Sequence, residues 1–318
     1  MKGATTPSAG ATYLSVRRRR KWAWFIRDYQ YYLLLLPAVA WYALFAYGPL
    51  YGLQIAFKKF SGAKGILGSP WVGLKHFTSF FNSYYFGLLM KNTLALSVYS
   101  LLVGAPIPIL IALMLNEIRL AKYKKTIQTI IYAPYFISTV VLSGIIFIML
   151  SPSSGVINTL IKALGGQAYY FMIDPNAFRH IYVWSGVWQN AGWNSIIYLA
   201  ALSAVNMELH EAAMIDGASR LQRIWHLNVP TIMPTFTILF ILSVGSIMNV
   251  GFEKVLLLQT SLNKTTADVI STYVYERGLI KAEYDFASAV GLFNNAINFV
   301  LLLSVNFVAR RLSDTSLF

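Results

Sequence analysis

The stretch Glu211-Ala-Ala-Met-Ile-Asp-Gly-Ala-Ser219 lies between two long apolar segments and predicts a helix that ends in a tight turn. The opening Glu-Ala-Ala favours a helix, and its acidic charge lies near the positive end of the helix dipole. Gly217 suits the left-handed conformation with which many helices end. The two alanines leave a small, smooth knob, a shape that suits insertion into a groove of another protein.

A second helix is predicted directly after this turn. Leu221, Ile224 and Trp225 follow at three- and four-residue spacing, so they share one face of that helix. Pro230 and Pro234 predict a break and the entry into the next apolar segment. These features predict that the segment is a helix–turn–helix outside the bilayer.

The rest of the chain is too apolar for a water-soluble domain. Of its 318 residues, 57% are hydrophobic and 12% are charged, about half the charged fraction that is usual in soluble domains. A membrane-spanning helix needs roughly 20 mostly apolar residues. Six windows without Asp, Glu, Lys or Arg are long enough, and the fold class predicted from them is all-α integral membrane with six transmembrane helices. The expected spans are 31–55, 92–116, 130–150, 182–206, 233–253 and 287–309.

Basic residues predict the orientation. They collect before the first span at 17–21, in the short link 119–125 after the second span, and at Arg310 and Arg311 after the sixth. Because short cytoplasmic loops are enriched in Lys and Arg, both termini are expected to be cytoplasmic. The lysines of the first outer loop are weaker evidence for orientation, because the charges of long loops have little influence on it.

This orientation divides the chain into three expected parts. A basic tail, 1–29, contains a segment able to form an interfacial helix. The transmembrane permease domain covers 30–310 and includes the cytoplasmic loop 207–234, and a short tail covers 311–318.

The 211–234 segment resembles the EAA loop of binding-protein-dependent importer permeases. The resemblance rests on Glu211-Ala-Ala, Asp216-Gly-Ala, Leu227, Val229-Pro230 and Pro234. The family's common Leu-Pro is Val-Pro here. In that family the loop forms a coupling helix that docks in a cleft of a cytoplasmic ATPase. The resemblance therefore assigns ATPase coupling to six residues, Glu211, Ala212, Ala213, Asp216, Gly217 and Ala218.

Other stretches resemble the carbohydrate permeases of the same family. These are Asn249–Lys254, Asp268–Gly278 and Trp71–Phe77, and the polysaccharide-type and alginate-importer permeases are the most similar that we recognise. The resemblance implies the type I importer permease fold in the bacterial inner membrane. It also implies a second, non-identical permease, two ATPase subunits and an extracytoplasmic solute-binding protein. The expected cargo is an oligo- or polysaccharide, with an acidic one such as alginate among the candidates, moved by alternating access.

Polar and aromatic side chains inside the spans predict the substrate path, because polar groups in hydrocarbon usually face a cavity. Sugars stack their C–H faces on indole rings and pair their hydroxyls with amides. Equally, tryptophans form interfacial belts and asparagines join helices, and both interpretations stay open here. The candidates are Trp184, Trp188, Asn190, Trp193 and Asn194 in span four, Asn249, Phe252 and Glu253 in span five, and Asn294, Asn295 and Asn298 in span six.

Several classes of function are disfavoured. No Gly-x-x-x-x-Gly-Lys-Ser/Thr phosphate loop occurs, so ATP and Mg²⁺ are expected on the partner ATPase and no cofactor on this chain. There is no cysteine, and the four histidines lack the spacing of a metal site. The net charge of +14 is spread between apolar segments, which argues against nucleic-acid binding. A secondary transporter or channel acting alone is the main alternative, followed by a membrane-embedded enzyme. Lysines and arginines at 58, 59, 264, 277 and 281 predict a basic outer surface.

Overall fold

The computed structural model describes residues 27–312 of the chain. The predicted interfacial segment, 16–29, lies outside the described residues up to residue 26, as does the tail 313–318. Within 27–312 the chain is helical, and the only β-type pairing is an isolated antiparallel bridge between Lys58 and Trp71. The chain divides into two compact units, 1–54 and 55–318.

The first unit, in its described part, is a single helical segment. It begins as the α-helix α1, Tyr29–Trp41, continues as a π-helical stretch, Tyr42–Tyr47, and runs on as a 3₁₀ helix, Gly48–Phe57, across the unit boundary. The segment covers the predicted first span. It is long and apolar enough to cross a membrane.

The second unit contains fifteen further α-helices within the described residues. They are α2 Gly65–Gly68, α3 Lys75–Phe81, α4 Tyr84–Gly104, α5 Pro106–Asn116, α6 Ala121–Tyr132, α7 Thr139–Met149, α8 Val156–Ala163, α9 Pro175–Leu202, α10 Met207–Ile215, α11 Arg220–Arg223, α12 Val229–Gly245, α13 Phe252–Leu258, α14 Lys264–Ala267, α15 Ile270–Tyr275 and α16 Tyr284–Leu312.

The predicted span 130–150 is not one straight helix. A 3₁₀ turn, Ala133–Phe136, ends the first half, and the chain bends by 97° before α7 begins. Ser138 caps α7 by accepting a hydrogen bond from Val141 N at 3.3 Å. Gln189 Nε2 donates to the Ile137 carbonyl at 2.7 Å, which satisfies a backbone group left free at the break.

The predicted fifth span, 233–253, is also displaced. One continuous helix runs from Arg220 through a π-helical turn, Ile224–Asn228, to Gly245, so the predicted break at the prolines is wrong. In the π turn, Val229 N–H bonds to the Ile224 carbonyl, five residues back, so a helical hydrogen bond is formed immediately before Pro230. Asn249 and Glu253 therefore lie beyond the helix end, not inside a span.

The remaining span limits differ by several residues. Helices α4 and α5 form one segment, Tyr84–Asn116, that starts eight residues before the predicted 92. Helix α9 starts at Pro175 instead of 182, because Asp174 caps it by accepting from Asn176 N at 2.9 Å. Within 27–312 four helices are long and apolar enough to span, or five if the bent pair is one span. The 28-residue α9 is long but polar, so six spans and cytoplasmic termini stay predictions.

Three clusters of buried side chains hold the second unit together. One joins α3, α4, α15 and α16 around Phe80 and Tyr273, and a second joins α4, α7, α9 and α13 around Leu96 and Val255. The third joins α5, α9 and α12 around Tyr198 and Ile232. Helix α9 is common to two clusters and packs against α4, α5 and α12, so it fixes the walls of the central cavity described below.

Candidate functional site

The segment that resembles the EAA loop contains a helix, α10, with defined ends. Asn206 begins α10 by accepting a hydrogen bond from Glu208 N at 2.9 Å. At the other end Gly217 has φ +78°, as predicted. Ala218 N donates to Ala213 O at 2.8 Å and Gly217 N to Met214 O at 3.1 Å, the paired bonds of a Schellman motif. The next helix begins at once with a capping box between Ser219 and Gln222.

The six predicted coupling residues lie on or next to the tip of α10. Glu211, Ala212, Asp216 and Gly217 are exposed, and Ala213 and Ala218 are half-buried. Ile215 at the tip is 87% exposed, and large exposed apolar side chains often mark contact surfaces. The tip can therefore present backbone, methyl groups and one isoleucine to a groove. Its role in coupling stays a prediction.

Two contacts connect this segment to the helices that enter the membrane region. His210 Nε2 lies 3.0 Å from Asn228 Oδ1 in the π turn before α12. Arg220 Nε lies 3.3 Å from Glu117 Oε2, just after α5. Arg220 therefore has Glu117 as an ion-pair partner. A displacement of α10 would thus act on α12 through His210, and a displacement of α11 would act on α5 through Arg220.

A cavity of about 900 Å³ lies between α4, α5, α9 and α12. Of the predicted path residues, Trp193, Asn194 and Asn249 line it. The Trp193 indole is stacked on Tyr135 with ring centroids 4.5 Å apart and an interplanar angle of 4°. The remaining wall mixes aliphatic and aromatic side chains with serine hydroxyls, among them Ser97, Ser100, Phe236, Phe240, Ser243 and Ser246. Serines carry little sequence signal, so the serines of this wall were missed.

Asn249 is held at the cavity edge by two other predicted residues. Its Oδ1 accepts hydrogen bonds from Asn294 Nδ2 at 2.9 Å and from Asn298 Nδ2 at 3.0 Å. Asn298 is buried, and its Oδ1 accepts from Met248 N at 2.9 Å. Asn298 therefore fits the alternative that asparagines join helices. Asn249 stays exposed, with its Nδ2 group available to a ligand.

A smaller cavity of about 240 Å³ adjoins the first, sharing Ser100, Gly104, Tyr182 and Asn194 with it. The predicted residue Asn190 lines this space beside Gln189, a polar residue of the same predicted span. Lys254, which was not predicted to lie on the substrate path, completes the wall. It follows Glu253 in sequence at the end of a predicted span, where a lysine is normally taken as an interfacial residue.

Seven predicted path residues line neither cavity: Asn294 and Asn298, described above, and five others. Trp184 Nε1 donates to Tyr99 Oη at 3.1 Å, and the Phe252 ring lies 5.0 Å from that of Tyr275. Trp184 and Trp188 are each 53% exposed, as expected of tryptophans in an interfacial belt. The other two, Glu253 and Asn295, are exposed.

The predicted basic outer surface is partly neutralised. Lys264 and Lys281 both pair with Glu276, at 3.3 and 3.1 Å. The hydrogen bond from Lys281 is the main cause that lowers the pKa of Glu276, so this carboxylate stays ionised. Arg277 pairs with Glu283 at 2.7 Å. Much of the positive charge in this loop is therefore balanced by ion pairs within the loop.

Residues 104–314 match a family model described as the binding-protein-dependent transport system inner membrane component. The chain belongs to this family. Members of the family are transport subunits of importers, so the chain is a multi-pass inner-membrane protein and not an enzyme. The same result removes the secondary-transporter and channel alternatives. The all-helical fold is the type I permease fold that the sequence predicted.

Two family members from Bacillus subtilis (strain 168) match nearly the whole chain. The polygalacturonan/rhamnogalacturonan transport system permease protein YteP is 40% identical over 316 residues, covering 99% of this chain and 98% of its own. Protein LplB is 40% identical over 313 residues, covering 98% of this chain and 96% of its own.

Two solved structures of the family are also similar. One is a bacterial ABC transporter involved in the import of the acidic polysaccharide alginate, with 44% identity and a TM-score of 0.86 over 92% of this chain and 99% of that one. The other is a bacterial alginate ABC transporter in complex with an alginate pentasaccharide-bound periplasmic protein. It shows 43% identity and a TM-score of 0.87 over 94% of this chain and 100% of that one.

Proposed function

We propose that this chain is one permease of an ATP-driven importer that carries an oligo- or polysaccharide delivered by a solute-binding protein. The observation that carries the proposal is the full-length similarity to permeases named for polygalacturonan/rhamnogalacturonan and alginate transport. The geometry supports it, because a cavity of about 900 Å³ presents an indole, free amides and hydroxyls together. These groups suit a sugar ring with its apolar faces and hydroxyl edges.

The proposed mechanism is alternating access in which this chain does not hydrolyse ATP. A partner ATPase binds ATP and Mg²⁺, and its closure moves α10 through contacts with Glu211 to Ala218. The His210–Asn228 and Arg220–Glu117 contacts pass that displacement to α12 and α5, two walls of the cavity. The cavity then opens to one side or the other, a two-state change that the ATPase and the loaded binding protein both bias.

The proposed assembly contains a second, non-identical permease, two ATPase subunits and an extracytoplasmic binding protein. Segments 58–83 and 252–283 lie on the predicted outer side and offer a surface for the binding protein. The Phe80 and Tyr273 rings join the two segments with centroids 6.3 Å apart. Phe60 N also donates to Asp285 Oδ2, in α16, at 3.1 Å. A loaded binding protein that contacts either segment would therefore bias the position of α16.

The test is stimulation of ATP hydrolysis in liposomes that contain this chain, the second permease and the ATPase. Binding proteins loaded with neutral maltodextrins or with acidic oligosaccharides are added in turn. We expect one carbohydrate class to stimulate hydrolysis and sugar uptake. Hydrolysis that is indifferent to every loaded binding protein would overturn the proposal.

A matched pair of variants tests the coupling tip. Gly217 and Gly165 both end helices in left-handed Schellman motifs, with φ +78° and +86°. Proline cannot adopt a positive φ, so Gly217→Pro and Gly165→Pro distort equivalent turns at different places in the chain. We expect Gly217→Pro to abolish stimulated hydrolysis while Gly165→Pro retains it. Equal loss in both would show that the effect is general misfolding.

A further inference from the structure

Lys254 is a buried cation in a position that the proposed mechanism does not explain. It lies in the first turn of α13 and is only 8% exposed. Its Nζ donates to the Tyr182 carbonyl at 2.9 Å and lies 4.8 Å from the centroid of the Tyr182 ring. An ammonium group has three N–H donors, so these contacts leave part of its hydrogen-bonding capacity unused.

No carboxylate of the described residues balances this charge. The ion pairs found within 27–311 involve other cations, and none includes Lys254. Lysine is almost never fully buried without a partner, because removing an ammonium from water is costly. A buried lysine that lines a cavity can take its counter-charge from a ligand.

The residues around Lys254 form a polar pocket. It lines the smaller cavity with Asn190 and Asn194. Gly186 leaves space for the ammonium, since a Cβ at that position would lie 3.2 Å from Nζ. Ser100 Oγ, on the wall shared by both cavities, is buried without a hydrogen-bond partner. An amide, a hydroxyl and a cation are thus all available to one polar ligand.

The charged side chains that line the two cavities indicate which chemical class of ligand can bind there. Among the described residues that line them, Lys254 is the only one with a charged side chain. A neutral sugar gains little from a lone buried cation, whereas a carboxylate forms a short, charge-assisted hydrogen bond with it. The amides beside it suit sugar hydroxyls.

We propose that Lys254 receives the carboxylate of a uronic acid unit and so selects acidic oligosaccharides inside the permease. This inference rests on the proposed import of carbohydrate and names its class. The carboxylate supplies the counter-charge that the fold lacks, and Asn190, Asn194 and Ser100 bind the hydroxyls of the same unit. A single cation holds one unit at a time, which lets a polyanionic chain be released unit by unit.

The test compares an oligogalacturonate with the same oligosaccharide after its carboxyl groups are reduced to alcohols. Binding is measured on the complete permease–ATPase complex in nanodiscs without binding protein, so that the selectivity of the binding protein does not enter. We expect the unaltered complex to bind the acidic ligand about tenfold more tightly or better. Lys254→Met should remove this preference and leave affinity for the reduced ligand unchanged. Lys254→Arg should preserve it.

The exposed Lys91 provides the charge-matched control. Lys91→Met removes the same charge outside both cavities and should leave the preference intact. The proposal is overturned if the unaltered complex shows no preference, if Lys254→Met keeps it, or if that variant loses both ligands equally. The last result would mean that Lys254 only joins α13 to α9. Failure of the proposed function would show separately, as absence of stimulation by any loaded binding protein.

Discussion

The coupling segment and the central cavity are built in opposite ways. In the segment 206–223, helix ends are fixed by hydrogen bonds between residues two to five positions apart, such as Glu208 N to Asn206 and Ala218 N to Ala213. The cavity brings together residues as distant in sequence as Ser97 and Asn249. The first is therefore determined by local chemistry, and the second by how helices pack.

This difference predicts how each region responds to change. A substitution in a local motif should alter that motif and the contacts it makes, with a modest effect on the stability of the whole chain. A substitution at a helix crossing beside the cavity should disturb several helices at once, since packed interiors tolerate little extra volume. The predictions below test this contrast.

The largest effect is expected at Gly192, where α9 crosses α6. A Cβ at this position would lie far inside the contact distance of the Ile131 carbonyl, a backbone atom that cannot rotate away. Gly192→Ala should lower the free energy of unfolding by about 1–3 kcal/mol or more through overpacking. Thermal unfolding of the purified complex in nanodiscs measures this loss.

Gly144→Ala is the matched control for that substitution. Gly144 is also helical, but a Cβ there would meet nothing within 4 Å. Alanine favours the helix by about 0.5–1 kcal/mol relative to glycine, so this variant should be neutral or slightly stabilised. Equal unfolding temperatures for the two variants would contradict the crossing described here.

A smaller loss is expected when Asn298 is truncated. Asn298→Ala leaves the buried Met248 N–H without an acceptor, because Asn298 Oδ1 is its partner at 2.9 Å. An unsatisfied buried donor costs about 1–3 kcal/mol. Asn295→Ala, at an exposed position of the same helix, should change the unfolding temperature little. A stable Asn298→Ala variant with lost sugar binding would instead make Asn298 a ligand.

The same contrast explains what could be predicted from the sequence. The cap at Gly217 and the helix before it were predicted correctly, because a left-handed glycine after Glu-Ala-Ala is a local preference. The break at 137–138 was missed. It depends on Gln189, more than fifty residues away, to satisfy the Ile137 carbonyl, and no periodicity in the segment signals that.

The substrate path shows more clearly which features the sequence alone does not predict. Residue type brought Trp193, Asn194 and Asn249 into the candidate set, and they do line the large cavity. The same reasoning selected Trp184 and Trp188, which lie on an exposed face of α9, because composition does not tell one side of a helix from the other. Lys254 was missed because only the fold shows that it is buried.

Within the coupling segment, the cap at Ser219 offers a local test. Ser219 Oγ accepts from Gln222 N at 3.4 Å, and Gln222 Oε1 accepts from Ser219 N at 2.7 Å. Ser219→Ala removes half of this capping box and should cost about 1 kcal/mol or less. The expected readout is faster tryptic cleavage at Arg220 and Arg223, with an almost unchanged unfolding temperature. Ser203→Ala should leave cleavage at both arginines unaltered, since Ser203 only donates within the end of α9.

The smallest effect on stability is expected for the Arg220–Glu117 pair. The two side chains are 60% and 26% exposed, and pairs of this kind contribute about 0.2–1 kcal/mol, less at high salt. A double-mutant cycle of Arg220→Gln and Glu117→Gln should give a coupling energy in that range at low ionic strength. Its disappearance in high salt would confirm a screened surface pair.

Loss of the Arg220–Glu117 pair should reduce stimulated ATP hydrolysis more strongly than it reduces the stability of the fold. If the contact passes displacement of the coupling segment 206–223 to α5, either single variant should reduce stimulated ATP hydrolysis several-fold while the unfolding temperature stays nearly constant. The charge-reversed double variant, Arg220→Glu with Glu117→Arg, restores an ion pair at the same place and should recover much of the activity. Recovery of activity without a change in stability would show that the ion pair transmits movement and does not merely stabilise the fold. A single variant with full stimulated hydrolysis would leave the His210–Asn228 contact as the route from the coupling tip to the cavity.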